Sequence, residues 1–92
     1  MSETATAAGQ AAAVNAILQP GQSASIFFGE EPETFRVSLT GTIQRQGELD
    51  VDVDGVKAAT LDFTVRNTTV NGRRITVTNV GRESQGFIAR QV

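Results

Sequence analysis

The 92-residue chain carries eight basic and ten acidic side chains, 39% hydrophobic residues and a formal net charge of −2, which fits one small domain. It contains no Cys, His, Trp or Tyr. These absences exclude disulfide bonds, Cys/His zinc sites, thiol or imidazole catalysis and aromatic cages of Trp or Tyr. The near balance of charge argues against electrostatic capture of nucleic acid or of an anionic membrane.

The first segment, residues 1–20, differs in composition from the rest of the chain. Seven alanines precede Pro20, which would stop a helix. The residues at helical spacing are Ala7, Ala11, Val14 and Leu18, with Ile17 beside them. We predict an Ala-rich N-terminal arm that orders by docking on a partner, either helical or extended. A disordered leader is the alternative. The β domain then covers residues 21–92.

Strand patterns follow the arm at short intervals, with turn residues between them. In chain order they cover residues 22–28, 34–44, 48–53, 60–69, 73–80 and 86–92. The second is the clearest, because Phe35, Val37 and Leu39 alternate with polar residues and so define one inward face.

Two three-residue hairpin loops are predicted by requiring that paired residues share a face of the sheet. They are residues 45–47 and 70–72, each closing with a glycine in the left-handed conformation. Each of these loops would join two strands that pair directly with each other.

A tighter, two-residue turn is predicted at Asp54-Gly55, because it places Asp52 opposite Lys57 on the outer face. The inward phase changes after this hairpin, which requires a bulge or a corner near Ala59-Thr60.

Short strands, tight turns and no convincing internal helix predict an all-β fold. The expected form is a small antiparallel β-sandwich, immunoglobulin-like or a small barrel, of six to seven short strands with an N-terminal arm.

One motif has the residue types of a metal site. Asp50, Asp52 and Asp54 precede a glycine, as in the opening of an EF-hand calcium loop. The twelfth position, where a bidentate Glu should close the loop, is Leu61, and the flanks are predicted strands. Strand alternation and a hairpin turn account for all of these residues, so we expect no metal and no other cofactor.

Enzymatic activity is not expected, because a Ser or Thr nucleophile would lack a histidine base and Lys57 is the one lysine. Seven of the eight basic residues are arginine, a residue that suits both nucleic acid and protein interfaces. With no Trp or Tyr for base stacking, we predict protein partners and no nucleic acid. Residues 1–19 lack the features of a secretory signal, and no apolar run is long enough to cross a bilayer, so neither secretion nor membrane association is expected.

Self-association or binding to a larger partner is the expected source of additional stability for so small a core without disulfides. Adjacent phenylalanines at positions 27 and 28 support this, because neighbouring strand residues face opposite ways. The predicted interface residues are Ala11, Val14, Ile17, Leu18 and Phe27.

In its layout, a compact β domain behind an N-terminal arm, the whole chain resembles the small decoration, or cement, proteins of tailed-bacteriophage capsids. The resemblance implies a non-enzymatic virion protein that binds the outer shell, often as trimers, and stabilises the particle. The implied partners are a capsid or other shell protein and copies of the chain itself, with assembly in the host cytoplasm. Alternatives are a minor tail or neck component, or a free-standing carbohydrate- or peptide-binding β-sandwich module.

Overall fold

The computed structural model describes residues 3–7, 13–27, 30–43 and 45–92. This part of the chain is all β, with strands β1 (Glu3–Ala7), β2 (Ala13–Leu18), β3 (Ser23–Phe27), β4 (Glu33–Thr40), β5 (Leu49–Val53), β6 (Val56–Leu61), β7 (Asn67–Gly72), β8 (Arg74–Asn79) and β9 (Gln85–Gln91). In these residues there is no helix that is long and apolar enough to cross a membrane.

The strands form two sheets. Sheet A has the order β1-β3-β8-β5-β6 and sheet B the order β2-β9-β4-β7. All neighbouring strands are antiparallel except β1 and β3, which are parallel. Among the described strands, β5 and β6 are the one consecutive pair that lies side by side, so the chain passes between the sheets at most of its connections.

The core lies between the two sheets, because each strand turns alternate side chains inward. The buried apolar residues are Leu18, Ala24, Ile26, Phe35, Val37, Leu39, Leu49, Val51, Leu61, Ile75, Val77, Phe87 and Ala89. Both sheets contribute to this single cluster, so the predicted all-β, sandwich-like class is confirmed.

The strand count differs from the prediction of six to seven, since the described residues form nine strands. Two of the additional strands, β1 and β2, lie in the predicted arm. A third arises because the single strand predicted at residues 60–69 is wrong: β6 ends at Leu61 and β7 begins at Asn67. Residues 13–18 form β2, which pairs with β9 along its whole length, so the helical alternative is wrong there. The apolar residues of this segment fit the alternation of a strand as well as the spacing of a helix. The strand conformation forms because pairing with β9 satisfies the backbone hydrogen bonds of the segment.

The predicted hairpin at residues 45–47 is wrong. β4 pairs with β7 and β9 in sheet B, whereas β5 pairs with β6 and β8 in sheet A. The connection therefore crosses from one sheet to the other. Its left-handed glycine is Gly41, with φ 70°, and not Gly47.

The predicted hairpin at residues 70–72 is also wrong, because β7 belongs to sheet B and β8 to sheet A. Gly72 is buried and does not adopt a positive φ. A Cβ atom at this position would overlap Cγ1 of Val53. Glycine is required here because the chain passes close to sheet A, and not because of a turn conformation.

The Asp54-Gly55 turn is confirmed. Both residues have positive φ, 51° and 86°, as a two-residue primed turn requires, and Asp52 lies opposite Lys57. The phase change is also present, as a register shift between Val51 and Asp52. The extra residue on β6 is Ala58, one position before the predicted place.

Candidate functional site

The predicted interface residues do not form one surface. Val14 is partly buried against the core and Leu18 is 3% exposed, whereas Ile17 is 70% exposed. Phe27 is 41% exposed and belongs to sheet A, whereas Ile17 belongs to sheet B. Ala11 lies outside the described residues.

The strand conformation of β2 explains how these neighbours separate. Successive side chains of a strand point to opposite faces, so Val14, Ala16 and Leu18 turn toward the core. Asn15 and Ile17 turn to the other face, where both are exposed. β2 therefore contributes to the core and also presents an apolar side chain to the outside.

Ile17 lies on the outer surface of sheet B, which we call the sheet B face. Its residues alternate with the buried residues of the four strands and come into register with one another. They are Asn15 and Ile17 from β2, Gly86, Ile88 and Arg90 from β9, Thr34, Arg36, Ser38 and Thr40 from β4, and Asn67, Thr69 and Asn71 from β7.

None of these residues is acidic. The acidic residue of β4 is Glu33, which follows the phase of the buried Phe35 and accepts a hydrogen bond from Nε2 of Gln91 at 2.7 Å. The sheet B face therefore carries two positive charges and no carboxylate of its own.

Arg36 and Arg90 lie directly opposite each other on β4 and β9, and both side chains are exposed. Within the described part of the chain, neither makes an ion pair within 4 Å, and the one such pair joins Lys57 to Asp50. Like charges directly opposite each other on paired strands are unfavourable. The sequence places Arg36 on the polar side of its strand, but the pair depends on the contact between β4 and β9.

An open depression of about 390 Å³ lies beside Ile17 at the other end of this face. It is lined by Asn15 and Ile17, by residues 40–42 and by Ser84 and Gly86. A Cβ atom on Gly86 would lie 2.7 Å from Oγ1 of Thr40, so glycine allows β9 and β4 to keep this close approach. The depression is small and polar in part, and among its residues there is no base, acid or nucleophile pair of the kind that catalysis uses.

A second exposed cluster surrounds Phe63, which is 37% exposed. The guanidinium carbons of Arg45 and Arg66 lie 5.2 and 5.4 Å from the centre of the ring, within cation–π distance. Nε of Arg66 also donates a hydrogen bond to O of Phe63 at 3.1 Å. Phe63 lies within the strand predicted at residues 60–69, but β6 ends at Leu61, so the ring belongs to the following turn and not to a strand.

Asp62 shapes that turn. Its Oδ1 accepts hydrogen bonds from N of Val65, from N of Thr64 and from Oγ1 of Thr64. These hydrogen bonds hold the pKa of Asp62 below its ordinary value of 3.8, and the bond from N of Val65 has the largest effect. Because the folded state favours the ionised carboxylate, Asp62 stabilises the fold at pH values above its ordinary pKa. This contribution is lost as the pH falls through the lowered pKa of the folded state.

Phe27 has a similar arginine neighbour in sheet A. The guanidinium carbon of Arg74 lies 5.5 Å from the centre of the Phe27 ring. The two residues are paired in register on β3 and β8. Phe27 is therefore part of a local Phe–Arg contact on sheet A, apart from the sheet B face.

Two of the three carboxylates of the calcium candidate have other partners. Oδ1 of Asp50 accepts a hydrogen bond from Thr60 and lies 3.5 Å from Nζ of Lys57. Oδ1 of Asp54 accepts from the backbone N atoms at positions 73 and 74. In the described ranges, no three acidic side chains come together as a metal-binding group, so the geometry does not support a site at Asp50, Asp52 and Asp54.

No protein-family model matches this chain, and no curated protein matches it.

Proposed function

We propose that the chain is a non-enzymatic structural protein of a larger assembly, of the kind represented by capsid decoration proteins. In this role the β domain and the N-terminal segment bind a shell protein and copies of the chain. A minor tail or neck component is a related form of the same proposal.

The observation that carries the proposal is the exposure of Ile17. An apolar side chain that is 70% exposed lies on a strand whose next residue, Leu18, is 3% exposed. The strand itself is held by pairing with β9, so Ile17 is presented at a fixed place. Fixed apolar side chains on a face with few charges are typical of protein interfaces.

A free-standing peptide-binding module is the second candidate. The depression beside Ile17 favours it, because small polar and apolar groups converge there. A carbohydrate-binding module has less support, since the chain has no Trp or Tyr to stack on a sugar.

The test is sedimentation of the untagged chain in a lysate of the cells that produce it, followed by electron microscopy of the fractions. We expect the chain in rapidly sedimenting fractions that contain regular particles. A chain found only among slowly sedimenting, small proteins contradicts the assembly proposal and leaves the peptide-binding module.

A matched pair of variants then assigns the contact. Ile17→Ser should release the chain from the particle fraction, whereas Val56→Ser should not. Ile17 and Val56 are both 70% exposed, but Val56 lies in sheet A. Equal behaviour of the two variants would remove Ile17 from the interface.

A further inference from the structure

We infer that the sheet B face binds an acidic segment of a partner protein, and that Arg36 and Arg90 hold its carboxylates. This inference rests on the assembly function proposed above and adds the place and the chemistry of the contact. The described residues supply neither arginine with an acidic partner from within the chain.

The first step is the cost of the arginine pair. Arg36 and Arg90 are direct neighbours on antiparallel strands, and like charges in this position destabilise a sheet. No carboxylate of the sheet B face offsets their repulsion. Local conflicts of this type are expected mainly at functional sites, where a bound group removes them.

The second step is the geometry of the pair. Neighbouring strands are about 4.8 Å apart, so two guanidinium groups on them can approach one carboxylate, or two adjacent ones, from both sides. Arginine presents planar N–H groups that match a carboxylate in a bidentate contact. The chain has only one lysine, Lys57, and it lies in sheet A.

The third step identifies the occupant as protein. Residues paired across the strands form rows on the sheet B face, and Arg36 and Arg90 belong to one row. The next row along the strands contains Ile88, and the row after it contains Ile17. Apolar side chains next to arginines, with no aromatic ring for base stacking, favour a protein partner over a nucleic acid. The net charge of −2 gives nucleic acid no long-range attraction.

The register also predicts the spacing in the partner. Arg90 and Gly86, which is the neighbour of Ile17, are four residues apart on β9. Four residues of a strand span about 14 Å. An extended partner segment would therefore carry its acidic residue about four positions from the apolar residue that contacts Ile17.

The experiment is a titration of the ¹⁵N-labelled chain with a short synthetic peptide, followed by NMR at low salt. The peptide carries two adjacent glutamates and a leucine four positions later. We expect shifts at the amides and side chains of Arg36 and Arg90, and an affinity that falls as salt is added. The double variant Arg36→Gln with Arg90→Gln should bind at least about tenfold more weakly.

The control is the double variant Arg73→Gln with Arg82→Gln, which changes the net charge equally at two other exposed arginines. It should bind the peptide as the unaltered chain does. The double variant Arg36→Lys with Arg90→Lys keeps the charge and removes the planar donor. Its affinity for the peptide should therefore lie between that of the unaltered chain and that of the double glutamine variant at positions 36 and 90.

A second readout does not need a ligand. Replacing Arg36 alone by Gln removes the repulsion within the pair, so the urea midpoint at low salt should rise, whereas Arg73→Gln should leave it unchanged. This also shows that the variants are folded.

Several results would overturn the inference. They are absence of peptide binding, equal binding by the Arg36/Arg90 variant and its control, and binding of inorganic phosphate or of a single-stranded oligonucleotide at least as strong as binding of the peptide.

The assembly function and the acidic-segment inference can fail separately. Arginine-dependent peptide binding without particle association rejects the assembly function alone, and particle association that survives loss of both arginines rejects this inference alone.

Discussion

At the scale of single residues, Asn79 links three backbone groups through one fully buried side chain. Its Nδ2 donates hydrogen bonds to O of Leu18 at 2.9 Å and to O of Glu83 at 2.8 Å. Its Oδ1 accepts from N of Gly81 at 2.9 Å. The side chain therefore fixes the end of β2 against the loop that follows β8.

Replacement of Asn79 by Ala leaves those backbone groups without their partner, and the hydrogen bond to O of Leu18 is buried. A buried group that loses its hydrogen bond costs roughly 1–3 kcal/mol, so we expect a loss of that size in the free energy of unfolding. Urea denaturation measures it.

The matched control is Asn71→Ala, because Asn71 is exposed and its amide donates one hydrogen bond, to Thr34. Its loss should be well under 1 kcal/mol. Equal effects of the two substitutions would mean that Asn79 has no special structural role.

Core residues were predictable one by one where alternation was strict. Phe35, Val37 and Leu39 are buried as expected. Asn79 and Gln85 were not predictable, because a polar residue is buried only when tertiary contacts supply its hydrogen bonds. Nε2 of Gln85 finds its acceptors on Thr40 and Gly86, and the first of these is 45 residues away in the chain.

At the scale of elements, the Asp54-Gly55 hairpin is the connection that local chemistry decides by itself. Gly55 has φ 86°, and no atom lies within 4 Å of the position a Cβ would take. Any effect of a substitution at Gly55 therefore reports backbone conformation and not packing.

We expect Gly55→Ala to lower the free energy of unfolding by about 1–2 kcal/mol, because an L-residue is strained at this φ. Gly55→Asn should cost less, since asparagine tolerates the left-handed region better. Equilibrium unfolding of the two variants provides the comparison. If alanine and asparagine cost the same, the turn does not have the proposed conformation.

The other two hairpins failed for a reason that applies to sandwiches generally. Two amphipathic strands can share an inward phase without being neighbours, because every strand of both sheets turns one face to the same core. From the sequence alone, Gly47 and Gly72 both fit the last position of a hairpin turn. The chain instead passes from one sheet to the other at both places, and Gly72 is needed where it passes Val53.

At the scale of the whole molecule, the described N-terminal residues are strands of the sheets. β1 pairs with β3 in sheet A, and β2 pairs with β9 in sheet B. Leu18 is buried in the core, and its carbonyl accepts from Asn79. The predicted boundary between an arm at 1–20 and a domain at 21–92 is therefore open to a direct test.

Removal of residues 1–18 should destabilise the chain severely. Truncation of a buried leucine alone costs about 2–5 kcal/mol, a large part of the 5–14 kcal/mol expected for a domain of this size. Removal of residues 1–12 keeps β2 and should retain cooperative unfolding. Circular dichroism during urea denaturation tests both, and equal midpoints for the two truncations would show that β2 is dispensable and that the arm is a separate unit.

The sequence by itself determined the all-β class, the inward face of β4 and one tight turn, because these depend on side-chain alternation and on local backbone preference. Only the tertiary structure decided which strands are neighbours, that residues 13–18 join sheet B, and that Arg36 lies opposite Arg90. Pairing is a contact between residues distant in the chain, and its free energy comes from burying two faces together, which no local pattern contains. The short, cysteine-free composition predicted a protein completed by partners, and the fold adds the place where we propose that a partner binds.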